Sequence, residues 1–107
     1  MRKGKGKFLD KIIVQCDPDL EDLIPGYLNN REKDIVAIRE SLDSGDFEKV
    51  RTLGHSMKGS GGGYGFDEVT RMGSRIESAA LAKDVEGVEE ALQELEDYIN
   101  RVEVVFS

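Results

Sequence analysis

The stretch GHSMKGSGGGYGF, residues 54–66, follows an amphipathic segment and interrupts the helical pattern of the chain. It contains the only histidine, His55, and six of the twelve glycines. Each glycine inside a helix costs about 1 kcal/mol relative to alanine, so this run predicts a break between two helical segments. Whether residues 59–63 continue the helix or form a loop is left open by the sequence.

Two further helix-breaking sequences lie outside this stretch, SGD at residues 44–46 and AKD at residues 82–84. Together the breaks define four segments in which apolar residues recur every three, four or seven positions, the spacing typical of amphipathic helices. Short connections make sequential helices antiparallel neighbours. The predicted fold is therefore all-α, an antiparallel up-down-up-down four-helix bundle.

The ends of the segments carry helix-start signals. The first segment opens with Asp17-Pro18, and Pro25 within it predicts a kink or a second start, that is, a short extra helix near the N-terminus. The second, third and fourth helices are predicted to start at or near Asp46, Asp67 and Asp84. In the fourth segment the apolar spacing continues from 85 to 106, although the runs KIIVQ (11–15) and EVVF (103–106) are also compatible with extended strands.

The charge of the chain is unevenly distributed. The 107 residues carry a net charge of −7, yet residues 1–11 hold five of the fifteen basic residues and one of the twenty-two acidic ones, which leaves −11 for residues 12–107. An acidic body argues against nucleic acid as a partner. We expect residues 1–11 to be a basic, disordered tail and residues 12–107 to form a single domain.

Several classes of site are disfavoured by the same composition. No apolar run is long enough to cross a membrane and no signal-peptide core is present, which favours a cytoplasmic protein. Cys16 is the only cysteine and lacks an activating partner in the sequence, and one histidine with one cysteine is not a metal-ligand set. The order Lys-Gly-Ser and the absence of a G-x-G-x-x-G frame exclude a nucleotide-binding loop.

His55 is predicted to face solvent. At 100° per residue, it lies about 130° from the centre of the apolar stripe of the second helix. Lys58 and Gly59 follow at i+3 and i+4, the positions that share a helix face with residue i. Glycines on this face would leave room for a large body near the imidazole, whereas Gly61 on the buried side and Gly73 in the third helix would let two helices approach closely.

The residue types on this face suggest phosphoryl chemistry. A neutral imidazole nitrogen is a nucleophile near pH 7. A lysine one turn away offers positive charge to a phosphoryl group. The pattern therefore points to His55 as a phosphoacceptor assisted by Lys58.

At these residues the sequence resembles the histidine phosphotransfer (HPt) domain of phosphorelays. The family pattern H-x-x-K-G, followed by a small residue and by a glycine ten positions after the histidine, matches His55, Lys58, Gly59, Ser60 and Gly65. The resemblance covers roughly residues 17–105. It implies a phosphocarrier without catalytic activity of its own, which accepts a phosphoryl group from a receiver aspartate or a kinase and passes it to another receiver.

The resemblance also carries expectations about partners and contacts. It implies no cofactor of the chain's own, because the receiver brings Mg²⁺, and it implies response-regulator receivers, a hybrid sensor histidine kinase and a monomeric state. Glu77 in the third helix is a candidate hydrogen-bond acceptor for the imidazole. The residues expected to dock the receiver surround His55 or form an apolar patch on the first helix: Glu48, Arg51, Thr52, Gly59, Gly62, Ile24 and Tyr27.

The alternative function is a non-catalytic helical scaffold or dimerisation module. The heptad-like spacing of the fourth segment permits it. A second apolar stripe on that helix would favour it, but the sequence contains only one.

Overall fold

The computed structural model describes residues 10–107, and it is mostly helical with the four predicted helices. The expected tail falls largely on residues 1–9, which lie outside the described residues. The helices are α1 (Ile24–Asp43), α2 (Phe47–Ser60), α3 (Asp67–Leu81) and α4 (Val85–Arg101). Single 3₁₀ turns occupy Pro18–Leu20 and Gly62–Tyr64, and two short strands, β1 (Ile12–Cys16) and β2 (Val102–Phe106), flank the helical part.

The helix starts follow the capping signals of the sequence. The Asp46 and Asp84 carboxylates accept hydrogen bonds from the backbone N–H groups of Lys49 and Gly87, each at 3.0 Å. These bonds satisfy donors that the first turn of a helix leaves unpaired. The first segment is divided at Pro25, which lies in the first turn of α1, where its missing N–H costs nothing.

The fourth helix is shorter than the apolar spacing predicts. Residues Val102–Phe106 leave the helix and pair in parallel with Ile12–Cys16, from Ile12 opposite Val102 to Cys16 opposite Phe106. β-Branched residues dominate both strands and suit an extended, half-buried ladder better than a helix end. The helical placement of Val102 is therefore wrong, and for residues 103–106, which the sequence left open, the extended alternative is the one the structure shows. A two-stranded sheet is added to the predicted helical fold.

The core lies between the four helices and extends beneath the glycine-rich turn. Phe66, at the start of α3, is fully buried, and the Tyr27 ring stacks on it with a centroid distance of 5.5 Å. The other fully buried large side chains come from all four helices: Ile38, Val50, Met57, Val69, Ile76, Val88, Leu92 and Leu95.

Contacts between α2 and α3 run in opposite directions along the two helices. Gly54 lies against Glu77, whereas Gly61, which directly follows α2 and is two turns beyond Gly54, lies against Thr70. These two helices are thus antiparallel, and the up-down arrangement of the whole bundle stays a prediction. No helix within residues 10–107 is long and apolar enough to cross a membrane.

Candidate functional site

His55 lies on the outer face of α2, as the helical rotation predicts. Its side chain is 67% exposed, and Val50, Gly54 and Met57 form the buried side of the same helix. The imidazole is held on a regular helix rather than on a loop, so its position is fixed by the packing of α2 in the bundle. An exposed ring on a rigid helix is accessible to another protein.

Glu77 on α3 connects the two candidate residues of α2. One carboxylate oxygen lies 3.0 Å from Nδ1 of His55, and the other lies 3.4 Å from Nζ of Lys58. The Glu77 side chain is 17% exposed, whereas that of Lys58 is 47% exposed. The structure thus brings together His55, Lys58 and Glu77, the three residues that the sequence analysis proposed for the chemistry of the site.

The ionisation of Glu77 determines which ring nitrogen is free. Burial raises the pKa of Glu77, but the hydrogen bonds from His55 and Lys58 and the charge of Lys58 outweigh this and hold the pKa below its ordinary value. An ionised carboxylate only accepts hydrogen bonds, so Nδ1 of His55 carries the ring proton. Nε2 is therefore unprotonated in the neutral ring, and its lone pair is available as a nucleophile.

Thr70 holds the end of α2 in place. Its hydroxyl donates to the carbonyl oxygen of Lys58 at 3.1 Å and accepts from the N–H of Gly62 at 2.9 Å. The terminal carbonyl groups of a helix have no partner within it, and Thr70 supplies one to Lys58. The helix is consequently well defined up to Ser60, although the sequence there is rich in glycine.

The glycine stretch is partly helix and partly turn, which answers the question the sequence left open. Gly59 belongs to α2, and residues Gly62–Tyr64 form a 3₁₀ turn. Gly65 ends this turn with φ of +96°, a conformation that favours glycine. Gly59 and Gly62 are exposed, and a methyl group at Gly59 would meet no atom within 4 Å. Gly62 lies beyond the end of α2, so its placement on the His55 face stays a prediction.

The predicted docking residues on the other side of His55 are also at the surface. Glu48 and Arg51 form an ion pair on the first turns of α2. Thr52 is exposed, and its hydroxyl donates to the carbonyl oxygen of Glu48 at 3.0 Å. These residues continue the surface around the imidazole towards the start of the helix, and their contact with a partner stays a prediction.

Ile24 and Tyr27 do not form the exposed apolar patch that the sequence suggested. They are only 3% and 6% exposed, because the Tyr27 ring packs between Tyr64 and Phe66 in the core. The exposed apolar residue at this position is Leu23, at 54%. It borders a cleft of about 440 Å³ between α1 and the end of α2, which is also lined by Asp22, Gly26, Tyr27, Asn30, Arg31, Ser56, Ser60 and Tyr64.

Sequence reasoning missed the aromatic and polar cluster below this cleft. The guanidinium of Arg31 lies 4.4 Å from the centroid of the Tyr27 ring, and the hydroxyls of Tyr27 and Ser60 lie 3.1 Å apart. Tyr64 stacks on Tyr27 at 4.3 Å. The signal for this packing was the pair of aromatic residues at 64 and 66, which flank the last glycine of the quoted stretch.

The comparison with protein families agrees with this site. The model of the Hpt domain family matches residues 19–104, most of the chain, and the protein therefore belongs to that family. Hpt domains are histidine phosphotransfer modules of phosphorelays, phosphocarriers rather than classical enzymes, and they interact with response-regulator receivers and kinases. Neither the curated proteins nor the solved structures gave a match to the chain.

Proposed function

We propose that this protein is a phosphorelay intermediate that carries the phosphoryl group on Nε2 of His55. The observation that carries the proposal is the hydrogen bond from Nδ1 to Glu77, which leaves Nε2 unprotonated on a side chain that is 67% exposed. A free ring nitrogen on a helix surface is the group that an incoming phosphoryl donor requires. The family match supports the same assignment.

The reaction needs one bond to form and one to break. The Nε2 lone pair attacks the phosphorus of a receiver aspartyl phosphate, or of a phosphorylated kinase, and the P–N bond forms as the bond between phosphorus and the donor breaks. With the aspartyl donor, the aspartate carboxylate is released. Transfer to the next receiver reverses this step, with its aspartate as the nucleophile.

The residues around His55 have separate roles in this scheme. The ring gains positive charge as the P–N bond forms, and the Glu77 carboxylate at Nδ1 stabilises that charge. Lys58 offers its ammonium group to the phosphoryl oxygens, since it needs only to turn from Glu77, 3.4 Å away. Positioning and charge neutralisation account for most of the catalysis in phosphoryl transfer, so a small set of side chains is sufficient.

The receiver is expected to supply the rest of the active centre. The receiver brings Mg²⁺ and its own acidic pocket, and the phosphocarrier itself adds no cofactor. Gly59 and Gly62, together with Glu48, Arg51 and Thr52, provide the surface on which the receiver rests. We further propose that the up-down bundle of residues 12–107 acts as a cytoplasmic monomer, served by receivers or a hybrid sensor kinase.

A scaffold or dimerisation module remains the alternative function. That function requires a second apolar stripe on the outside of α4. The described residues of α4 form a single buried stripe, with Val88, Leu92 and Leu95 among its members. Its outer surface carries exposed acidic residues such as Glu89 and Glu90. This distribution favours the phosphocarrier.

The test is a transfer assay with purified phosphorylated receiver domains. Wild-type protein should acquire an acid-labile phosphoryl group, and His55→Gln should acquire none while keeping its helical circular dichroism. Ser56→Ala, next to the site but without a ring nitrogen, is the matched control and should be labelled normally. Full acid-labile labelling of His55→Gln would contradict the proposal.

A further inference from the structure

Helices α2 and α3 meet backbone to backbone at Gly54 and Gly73. A methyl group on Gly54 would lie 3.0 Å from the carbonyl oxygen of Gly73, and one on Gly73 would lie 2.7 Å from the carbonyl oxygen of Gly54. Such distances leave no room for a side chain without a shift of one helix. Both residues are fully packed within the interface.

Each glycine also faces the backbone of a candidate functional residue on the opposite helix. The added methyl group of Gly54 would lie 2.8 Å from the backbone nitrogen of Glu77. That of Gly73 would lie 2.5 Å from the backbone nitrogen and 3.0 Å from Cα of Lys58. The close approach therefore occurs at the two residues whose side chains meet at the surface above it.

This approach determines whether Glu77 reaches its partners. The Glu77 carboxylate lies 3.0 Å from Nδ1 of His55 and 3.4 Å from Nζ of Lys58. The distance to Lys58 is already near the outer limit of a hydrogen bond. A separation of the helices by about 1 Å would break the contact with Lys58 and weaken the one with His55. The short glutamate side chain has little freedom to follow, since it is 17% exposed.

We propose that Gly54 and Gly73 are positioning residues for phosphotransfer, which act by holding Glu77 within reach of His55 and Lys58. The proposal rests on the assignment of His55 as phosphoacceptor. We infer that the distance between α2 and α3 at Gly54 and Gly73 determines how the imidazole of His55 is oriented and which of its nitrogens carries the proton. Gly65, where an added methyl group would lie 3.3 Å from the carbonyl oxygen of Gln15 and 3.4 Å from Sγ of Cys16, faces β1 rather than this interface and has no such role.

The test measures labelling by potassium phosphoramidate, which requires no partner protein. In this reaction the P–N bond to ammonia breaks as the P–N bond to Nε2 of His55 forms. Gly73→Ala should lower the labelling rate by about tenfold, because a misplacement of about 1 Å in an active site can cost up to about 100-fold. Gly65→Ala is the control, and it should lose stability because of its φ of +96°, without a comparable loss of rate.

A double-mutant cycle separates positioning from general loss of structure. If Gly73 acts through Glu77, Gly73→Ala should have no further effect on the rate in a Glu77→Ala background. The ¹⁵N shifts of the His55 ring give a second readout, since Gly73→Ala should reduce the fraction of rings protonated on Nδ1. If Gly73→Ala does not fold, Gly54→Ala, whose contacts are less short, takes its place in the cycle.

The outcomes distinguish this proposal from the proposed function. Equal rate losses for Gly65→Ala and Gly73→Ala, or additive effects of Gly73→Ala and Glu77→Ala, would overturn the positioning role. Wild-type protein that is not labelled on His55 would instead overturn the assignment of the phosphoacceptor. In that case, the ¹⁵N chemical shifts of the His55 ring in wild type and Gly73→Ala would still show whether the glycines determine the geometry of the imidazole.

Discussion

Glu77 accepts a hydrogen bond from Nδ1 of His55 across the α2–α3 interface at 3.0 Å. We expect Glu77→Gln to slow transfer from a phosphorylated receiver by about tenfold, because a neutral amide stabilises the developing ring charge less well. The measurement is the single-turnover transfer rate at saturating receiver. Glu89→Gln, an equivalent change on the exposed surface of α4, should transfer at the wild-type rate; equal rates for all three proteins would show that Glu77 has no electrostatic role.

The same carboxylate gives the protein a specific dependence on pH. The pKa of Glu77 is lower in the folded protein than its ordinary value of 4.5. Its ionised form therefore stabilises the fold fully above pH 4.5, and this contribution is lost as the pH falls through the folded pKa. Urea unfolding at pH 7 should find Glu77→Gln less stable than wild type, and the difference in free energy of unfolding should narrow as the pH is lowered below 4.5. A gap that is constant with pH would contradict this ionisation.

Lys58→Ala should slow phosphotransfer while leaving the helical content unchanged. The Lys58 side chain is 47% exposed, so the interaction of its ammonium group with the phosphoryl oxygens is screened by salt. The difference in transfer rate between Lys58→Ala and wild type should accordingly shrink as the salt concentration is raised from about 0.05 to about 1 M. Over this range the Debye length falls below about 10 Å. Lys49→Ala, also on α2 but outside the site, is the control; if it slows transfer equally, Lys58 has no particular role.

Substitutions of Gly62 separate folding from docking. A methyl group there would meet Asp67 and Thr70 at 3.7 and 3.8 Å, ordinary contact distances. Gly62→Ala should therefore stabilise the fold by about 0.4–1 kcal/mol, by restricting the unfolded chain. Gly62→Leu should keep its thermal stability but lose receiver affinity, since its side chain would project from the exposed turn after α2, which we propose as part of the docking surface.

Isothermal titration with a receiver measures this affinity. Gln93→Leu, exposed on α4, is the matched control and should bind like wild type. Unchanged receiver affinity for Gly62→Leu would mean that this glycine is not part of the docking surface.

Gly65, by contrast, serves the backbone. Its φ of +96° is rarely adopted by residues with a side chain, and an added methyl group would lie 3.3 Å from the carbonyl oxygen of Gln15. Gly65→Ala should lower the free energy of unfolding by about 1–3 kcal/mol, measured by urea denaturation. Gly63→Ala, at a position with no atom within 4 Å, should not be destabilising. Equal stability of the two variants would rule out strain at Gly65.

The helices and the face of His55 could be predicted because both depend on local sequence. Asp46 and Asp84 cap helices through their own neighbours, and the direction of His55 follows from the helical repeat alone. The contact between His55 and Glu77 could be suggested from the sequence, but the distance between the two side chains could not be predicted. It depends on how closely α2 approaches α3, which Gly54 and Gly73 decide together.

The errors arose where distant segments meet. Val102 and Phe106 fit a helical spacing, and only pairing with β1, ninety residues earlier, makes them a strand. Ile24 and Tyr27 were placed at the surface because the sequence does not reveal that the turn at 62–66 folds against α1. Periodicity alone does not assign a short apolar run to a helix or to a strand. Likewise, whether a helix face is buried depends on which distant segment packs against it.

The parallel pairing of β1 and β2 has a mechanical consequence. The chain enters the ladder at Ile12 on one strand and leaves it beyond Phe106 on the other, at opposite ends of the paired segment. Tension applied between the two termini would therefore pull the strands past each other along their length. The ladder hydrogen bonds would share that load instead of opening one after another, and the four helices between the strands would be shielded until the ladder gives way.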